Sequence, residues 1–161
     1  MFTGAQIVRE LQSVGITHVV WLPDSTLGPW EVELTSASNL QVVRVCREGE
    51  AWAVAAGLYL GGAVPLVVIQ CTGLFESGDA LRNFVHDLGL PLFALIGYRS
   101  YLTAARTTDT AAVFAEPILR TWNLDYRLIE RPEQLPVFAE HFRDCQAERR
   151  AGIVLLAEGR M

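Results

Sequence analysis

The sequence predicts a doubly wound α/β fold: one mainly parallel six-stranded sheet with helices on both faces, spanning residues 1–161 as a single domain. Three observations carry that prediction. Short runs rich in Val, Ile and Leu alternate with longer segments of helical period, the pattern of a parallel sheet built from crossover units. The strand-like runs tend to stop at Pro, Gly or small polar residues, which punctuate strand from helix. With 161 residues and a 51% hydrophobic composition, the chain can bury a substantial core as one unit.

Taken in order, Thr3 and Gln6 fit a capping box for a first helix with Ile7, Leu11 and Val14 on one face, and Gly15 is a suitable stop. His18-Val19-Val20-Trp21-Leu22 is the first strand, broken by Pro23-Asp24-Ser25-Thr26. A second helix over 27–36 carries Trp30 and Leu34. Residues 40–45 form the second strand, and an Ala-rich helix follows from near Glu48 to Gly61-Gly62. The third strand is 65–70, ended by a Cys71-Thr72-Gly73 loop, with a helix expected over 77–85. The fourth strand, 91–96, is followed by a polar stretch, 98–110, without clear periodicity, a length of loop that usually has a function or is mobile. Pro117 suits a first helical turn, so a helix is placed over 116–123. A fifth strand at 126–129, a helix over 132–149 and a sixth strand at 152–156 complete the fold. Right-handed crossovers then put helices on both faces.

Composition narrows the function classes. The net charge is −5 and no basic block occurs, which argues against nucleic acid. The first residues lack the basic-then-apolar pattern of a signal peptide, and the apolar stretches are broken before the length of a membrane span. Cys46, Cys71 and Cys145 are odd in number and widely spaced, as expected of a reducing cytoplasm. A zinc site is not expected, because His18, His86 and His141 show no ligand spacing with those cysteines. The high apolar content fits a subunit interface as well as a core.

The predicted topology gathers four loops at the carboxyl edge of the sheet: 23–26, 46–49, 70–77 and 97–100. Ligands of open α/β sheets bind at that edge. The loops bring Glu48, the hydroxyls of Ser25, Thr72 and Ser77, Gly73 and the cation Arg99. Glu50 reads as a solvated first-turn acid that favours the helix dipole. Glu48 reads either as the same, or as a carboxylate facing a ligand. Neither Gly-x-Gly-x-x-Gly nor a P-loop occurs, and no nucleophile elbow surrounds any Ser.

The stretch Val45-Cys46-Arg47-Glu48-Gly49-Glu50-Ala51-Trp52, continuing to Gly57-Leu58-Tyr59, resembles the pyrimidine-binding domain of thiamine-diphosphate enzymes. In those enzymes a catalytic Glu follows a strand and precedes a small-residue helix with a Gly nine positions on. Counting back from Gly57 selects Glu48, not Glu50. The resemblance is greatest to the sulfopyruvate and phosphonopyruvate decarboxylase group, and runs through Leu22-Pro23-Asp24-Ser25, Arg47-Glu48, Thr72-Gly73-Leu74 and Tyr98-Arg99.

That resemblance implies a function and a set of roles. The chain would be the alpha subunit of a decarboxylase of 2-oxo acids, with sulfopyruvate or phosphonopyruvate as the model substrate. Glu48 would hydrogen-bond a ring nitrogen of the cofactor's aminopyrimidine. Thr72, Gly73 and Leu74 would face that ring. Asp24 and Ser25 would lie near the substrate carboxylate, or simply cap the next helix. Arg99 would meet an anionic substrate tail, or serve as a structural surface Arg. The Gly-Asp-Gly motif that holds the diphosphate through Mg²⁺ is absent, so a beta subunit is expected to carry it. After Thr72-Gly73-Leu74 the group tends to have Gly, Asn, Ser and a later Asn; Phe75, Glu76 and Asp79 depart from that, which leaves open a non-catalytic assembly or regulatory domain of the same fold.

Overall fold

A computed structural model describes residues 2–24, 27–106 and 108–158. The strands are β1 (His18–Trp21), β2 (Gln41–Arg44), β3 (Pro65–Gln70), β4 (Phe93–Tyr98), β5 (Tyr126–Ile129) and β6 (Gly152–Ala157). They form one sheet in the order β2-β1-β3-β4-β6-β5, and every neighbouring pair is parallel. Every residue of β3, β4 and β6 is buried, as the continuous apolar runs of a doubly covered parallel sheet require. The edge strands β2 and β5 are only partly buried.

The helices are α1 (Gly4–Ser13), α2 (Glu31–Ser36), α3 (Glu48–Leu60), α4 (Cys71–Glu76), α5 (Gly78–Arg82), α6 (Ala111–Thr121) and α7 (Pro136–Ala147). Alternation along the strands divides the core in two. Val19, Trp21, Leu66, Val68, Phe93 and Leu95 face α1, α2 and α7. Val20, Val67, Ile69, Ala94 and Ile96 face α3 to α6. The chain therefore leaves β1 toward one face and β3 toward the other. The crevice between their carboxyl ends is a topological switch point.

Local chemistry accounts for the boundaries. Thr3 and Gln6 form the capping box of α1, with Gln6 N–H donating to Thr3 Oγ1 at 3.3 Å and Thr3 N–H to Gln6 Oε1 at 2.9 Å. Gly15 takes φ +75° just past the helix end, where a side chain would be strained. In α3, Ala51, Trp52, Ala55 and Ala56 are buried, and small residues let the helix lie close to the sheet.

Several boundaries differ from the sequence-based expectation, and the main ones are these. The expected 71–73 loop is instead α4, which starts directly after β3. The buried Ser77 hydroxyl donates to the Gly73 carbonyl at 2.6 Å, which closes α4 before α5 begins. The fourth strand begins at Phe93 rather than Pro91. Within the predicted 98–110 loop, Tyr101–Arg106 is a 3₁₀ turn, held in part by the Leu102 N–H on the Glu158 carbonyl at 3.0 Å. Helix α6 starts at Ala111, so Pro117 lies in its interior. The carbonyl that Pro117 leaves unpaired is that of Val113, which is 62% exposed and open to water. No helix among the described residues is long and apolar enough to cross a membrane.

Candidate functional site

The carboxyl ends of β2, β1, β3 and β4 lie side by side, so their following segments meet at one edge. Arg47 has an extended backbone (φ −146°, ψ 148°) and is the N-cap of α3, which makes Glu48 the first residue of that helix. Glu48 is half-buried and lies against Gly73 of α4. A Cβ added to Gly73 would collide with Glu48 Cγ and sit 2.6 Å from its Oε1. Only glycine leaves room for the carboxylate in this position. The Glu48 carboxylate accepts no hydrogen bond and closes no ion pair among the described residues.

The other charges around it are committed. Glu50 Oε2 accepts the Cys46 N–H at 3.0 Å, so this first-turn acid ties down the entry to α3. Glu76, at the end of α4, reaches back to the same turn. Its Oε1 accepts from Arg47 Nε and Nη2 at 3.0 and 2.6 Å, and its Oε2 accepts the Gly49 N–H at 2.8 Å. The Arg47 guanidinium, with help from that N–H, holds the Glu76 carboxyl below its ordinary range. Glu76 is thus a helix cap supplied from another element, and Arg47 offsets its charge. The other departures also have local work. Phe75 packs against the core under α3 to α6, and Asp79 pairs with Arg82 at 2.8 Å.

Toward β4 the polar groups form a closed network. Arg99 Nε and Nη2 donate to the two oxygens of Asp109 at 2.7 and 3.1 Å, and Nη1 donates to Gln70 Oε1 at 3.2 Å. The same Gln70 oxygen accepts from Thr72 Oγ1 at 3.1 Å. Asp109 also takes the Ser100 hydroxyl at 3.0 Å and the Ala111 N–H at 3.1 Å, so it organises the loop and starts α6. The guanidinium of Arg99 first, and then these donors, lower its carboxyl to about 2. The bidentate face expected to meet a substrate anion is therefore filled by Asp109. Cys71, beneath this network, is buried, and burial pushes its thiol up to about 11.

The remaining predicted residues divide. Gly73 adjoins Glu48, while the Leu74 side chain is 1% exposed and belongs to the core. Asp24 Oδ1 accepts the Leu27 N–H at 2.9 Å and its carbonyl accepts the Gly28 N–H at 2.8 Å, which is the helix-capping alternative. Ser25 lies outside the described residues. Sequence reading missed Glu158, just beyond β6. Its Oε1 would be 2.5 Å from a Cβ on Gly97, at the carboxyl end of β4. The available signal was an acid closing the last apolar run.

Sequence reading also missed a second gathering, at the opposite edge. His141 and Cys145 are four residues apart on α7, and Asp125 precedes β5. The expectation that no histidine stands at ligand spacing from a cysteine is corrected: one helical turn separates this pair, and their donor atoms cluster with that of Asp125.

The architecture is that of known decarboxylases. The chain superposes on benzoylformate decarboxylase from Polynucleobacter necessarius with a TM-score of 0.79 at 19% identity, over 98% of this chain and 30% of that one. The fold is the doubly wound sheet expected of a thiamine-diphosphate-binding domain. The sequence is 32% identical over 99 residues to a phosphonopyruvate decarboxylase of Streptomyces viridochromogenes, covering 62% of this chain and 25% of the relative. It is 27% identical over 153 residues to a sulfopyruvate decarboxylase of Methanosarcina acetivorans, covering 94% of this chain and 39% of the relative. With the sulfopyruvate decarboxylase subunit alpha of Methanococcus maripaludis, identity is 26% over 102 residues, or 63% of this chain and 61% of the relative. The chain is thus similar to the decarboxylase group its motifs resemble, and spans only part of the length of each relative. No family model matches it.

Proposed function

We propose that this chain is the pyrimidine-binding domain, and the alpha subunit, of a cytoplasmic decarboxylase of 2-oxo acids that uses thiamine diphosphate. Sulfopyruvate is the preferred substrate class, because the alignment to a sulfopyruvate decarboxylase spans 94% of the chain, against 62% for the phosphonopyruvate enzyme. A beta subunit would carry the diphosphate and its Mg²⁺, a division supported by a relative that is itself named a subunit alpha.

The observation that carries this reading is the uncommitted Glu48 carboxylate. It stands on the first turn of a helix, at the carboxyl edge of a parallel sheet, in a space kept open by Gly73. Its neighbours Glu50 and Glu76 are occupied with backbone and Arg47. A half-buried carboxylate with its hydrogen-bonding capacity unspent fits a ring nitrogen that can share a proton. When bound, thiamine diphosphate supplies the electron sink for loss of carbon dioxide from the 2-oxo acid. Glu48 holds the proton shared with the aminopyrimidine nitrogen. Gly73 lets the carboxylate and the ring approach, and Glu76 with Arg47 fixes the turn from which Glu48 projects. Thr72, one residue before Gly73, is tied through Gln70 to the Arg99 network. The resemblance would put Ser25 on the substrate side, while Asp24, which follows β1 at that edge, caps the segment after it.

The test is reconstitution with the beta chain, cofactor and Mg²⁺, comparing Glu48→Gln and Glu50→Gln with the native chain. Gln keeps the shape of Glu48 but cannot share its proton. Positioned acid–base groups contribute about 10² to 10⁴ in rate. Glu48→Gln is therefore expected to lose about 3 to 5 kcal/mol of transition-state stabilisation. Glu50→Gln should stay within about threefold, since it touches only the helix entry. Full activity in Glu48→Gln would overturn the reading.

A further inference from the structure

The groups at the amino edge of the sheet have no part in that chemistry. His141 and Cys145 are buried to 2% and 0% exposure on α7, and Asp125 approaches them from the start of β5. Cys145 Sγ lies 3.7 Å from His141 Nδ1 and 3.8 Å from Nε2, and His141 Nδ1 lies 4.0 Å from Asp125 Oδ2. The three donor atoms all fall within 4.8 Å of one another. The sulfur reaches this place only because Gly152 has no side chain: a Cβ there would collide with Sγ. The imidazole is held against Phe93, with ring centroids 5.3 Å apart.

A cation already sits among these donors. Arg150 Nη1 donates to Asp125 Oδ2 and to Cys145 Sγ, the latter at 3.0 Å. Its Nε pairs with Glu148 at the surface, and a third of the side chain is exposed. Arg127 binds the other Asp125 oxygen at 2.6 Å.

We propose that Asp125, His141 and Cys145 form a site for a zinc-like divalent transition metal, with Arg150 as the resident cation that the metal displaces. Zinc binds sulfur at about 2.3 Å and nitrogen or carboxylate oxygen at about 2.0 to 2.2 Å. Tetrahedral bonds of those lengths put ligand atoms about 3.3 to 3.7 Å apart. The sulfur–nitrogen separation of 3.7 Å already lies in that range, the nitrogen–oxygen separation of 4.0 Å must close by about 0.7 Å, and Asp125, within 4.8 Å of the others, is the ligand that moves. Thiolate with imidazole selects zinc, cobalt or copper over magnesium or calcium. When the guanidinium withdraws toward Glu148, it leaves the fourth position to water.

The exchange balances in charge. A guanidinium and a neutral thiol give way to a dication and a thiolate, and the thiol proton goes to solvent. The charged groups facing Cys145 are Arg150 and Arg127, which favour the thiolate, and Asp125 and Asp144, which oppose it. Because the ligand form of cysteine is the thiolate, metal binding releases the thiol proton and strengthens as pH rises.

The experiment titrates Co²⁺ into the chelator-treated full chain, for wild type, Cys145→Ser and Arg150→Gln. Wild type is expected to bind one equivalent, with tetrahedral ligand-field absorption and a thiolate-to-cobalt band in the near ultraviolet, and Zn²⁺ should displace it. Cys145→Ser should lose the charge-transfer band. Arg150→Gln, a change at a partly exposed side chain, should bind about tenfold tighter. Absence of the band in wild type, its persistence in Cys145→Ser, or unchanged affinity in Arg150→Gln would overturn the proposal. Should Cys145→Ser fail to fold, the wild-type band and the Arg150→Gln affinity still decide the matter.

Discussion

Two corners of the same sheet edge carry an ionic residue that motif reading marks for ligand contact, and they differ in what remains for a ligand. At the β2–α3 corner, Glu48 has its backbone fixed and its carboxylate open. At the β4 corner, the Arg99 fork is closed by Asp109 and its remaining contact goes to Gln70. The Glu48 corner is organised by neighbours that spare it: Glu50 and Glu76 serve the helix end, and Arg47 serves Glu76. The Arg99 corner is organised by Arg99 itself. The lesson is that position at the carboxyl edge nominates a residue, and unspent hydrogen-bonding capacity distinguishes a ligand-facing group from a structural one.

The comparison is broken or sharpened by altering what each corner depends on. After Glu48→Gln, the largest effect is expected from Gly73→Ala. The new Cβ meets Glu48 Cγ and turns that side chain away, and a melt should show a loss of about 0 to 2 kcal/mol, an overpacking cost of about 1 to 3 offset by about 1 for Ala over Gly in a helix. Cofactor-dependent activity in the reconstituted enzyme should fall at least about tenfold, because the displaced carboxylate loses its aim. Native activity in this variant would mean that Glu48 does not work from the position seen against Gly73.

Glu76→Ala removes the cap that α4 supplies to α3. Loss of an N-cap interaction costs about 0.5 to 2 kcal/mol. For a chain of this size that is a drop of roughly 1 to 8 °C in melting temperature. The same variant should reduce activity less than Gly73→Ala does, since it loosens the turn without crowding the carboxylate. A melting temperature unchanged from wild type would show the Arg47–Glu76 contact to be incidental.

The smallest effect belongs to the closed corner. Asp109 has its carboxyl lowered to about 2, from an ordinary value of 3.8, chiefly by Arg99. A depressed carboxylate pKa contributes stability above its unfolded value that is lost as pH falls through the folded one. That contribution is therefore complete above about pH 4 and fades toward pH 2. After allowance for solvent screening at the partly exposed Arg99, it amounts to about 1 kcal/mol. Asp109→Asn should flatten the acid limb of a stability–pH curve between those values. If the Asp109→Asn variant instead kept that limb unchanged, Arg99 would be freer than its contacts imply.

The residues alone determined the sheet and the candidate carboxylate. All six strands were legible, because short Val-, Ile- and Leu-rich runs bounded by Pro, Gly or polar residues mark them off from the longer Ala-rich run of α3. The α1 capping box, the Gly15 stop and the placing of Glu48 at the head of α3 were legible because they rest on contacts within a few residues. Tertiary structure alone decided the partners. Gly73 meets Glu48, Glu76 reaches Gly49, Asp109 closes on Arg99 and Asp125 joins His141 with Cys145 across long stretches of sequence. Each of those pairings depends on strand order and on the turn that follows a strand, and neither leaves a periodic mark on the chain. Pro117 shows the same limit at short range. Its place inside α6 depends on Val113 facing water, which is a property of the packed molecule.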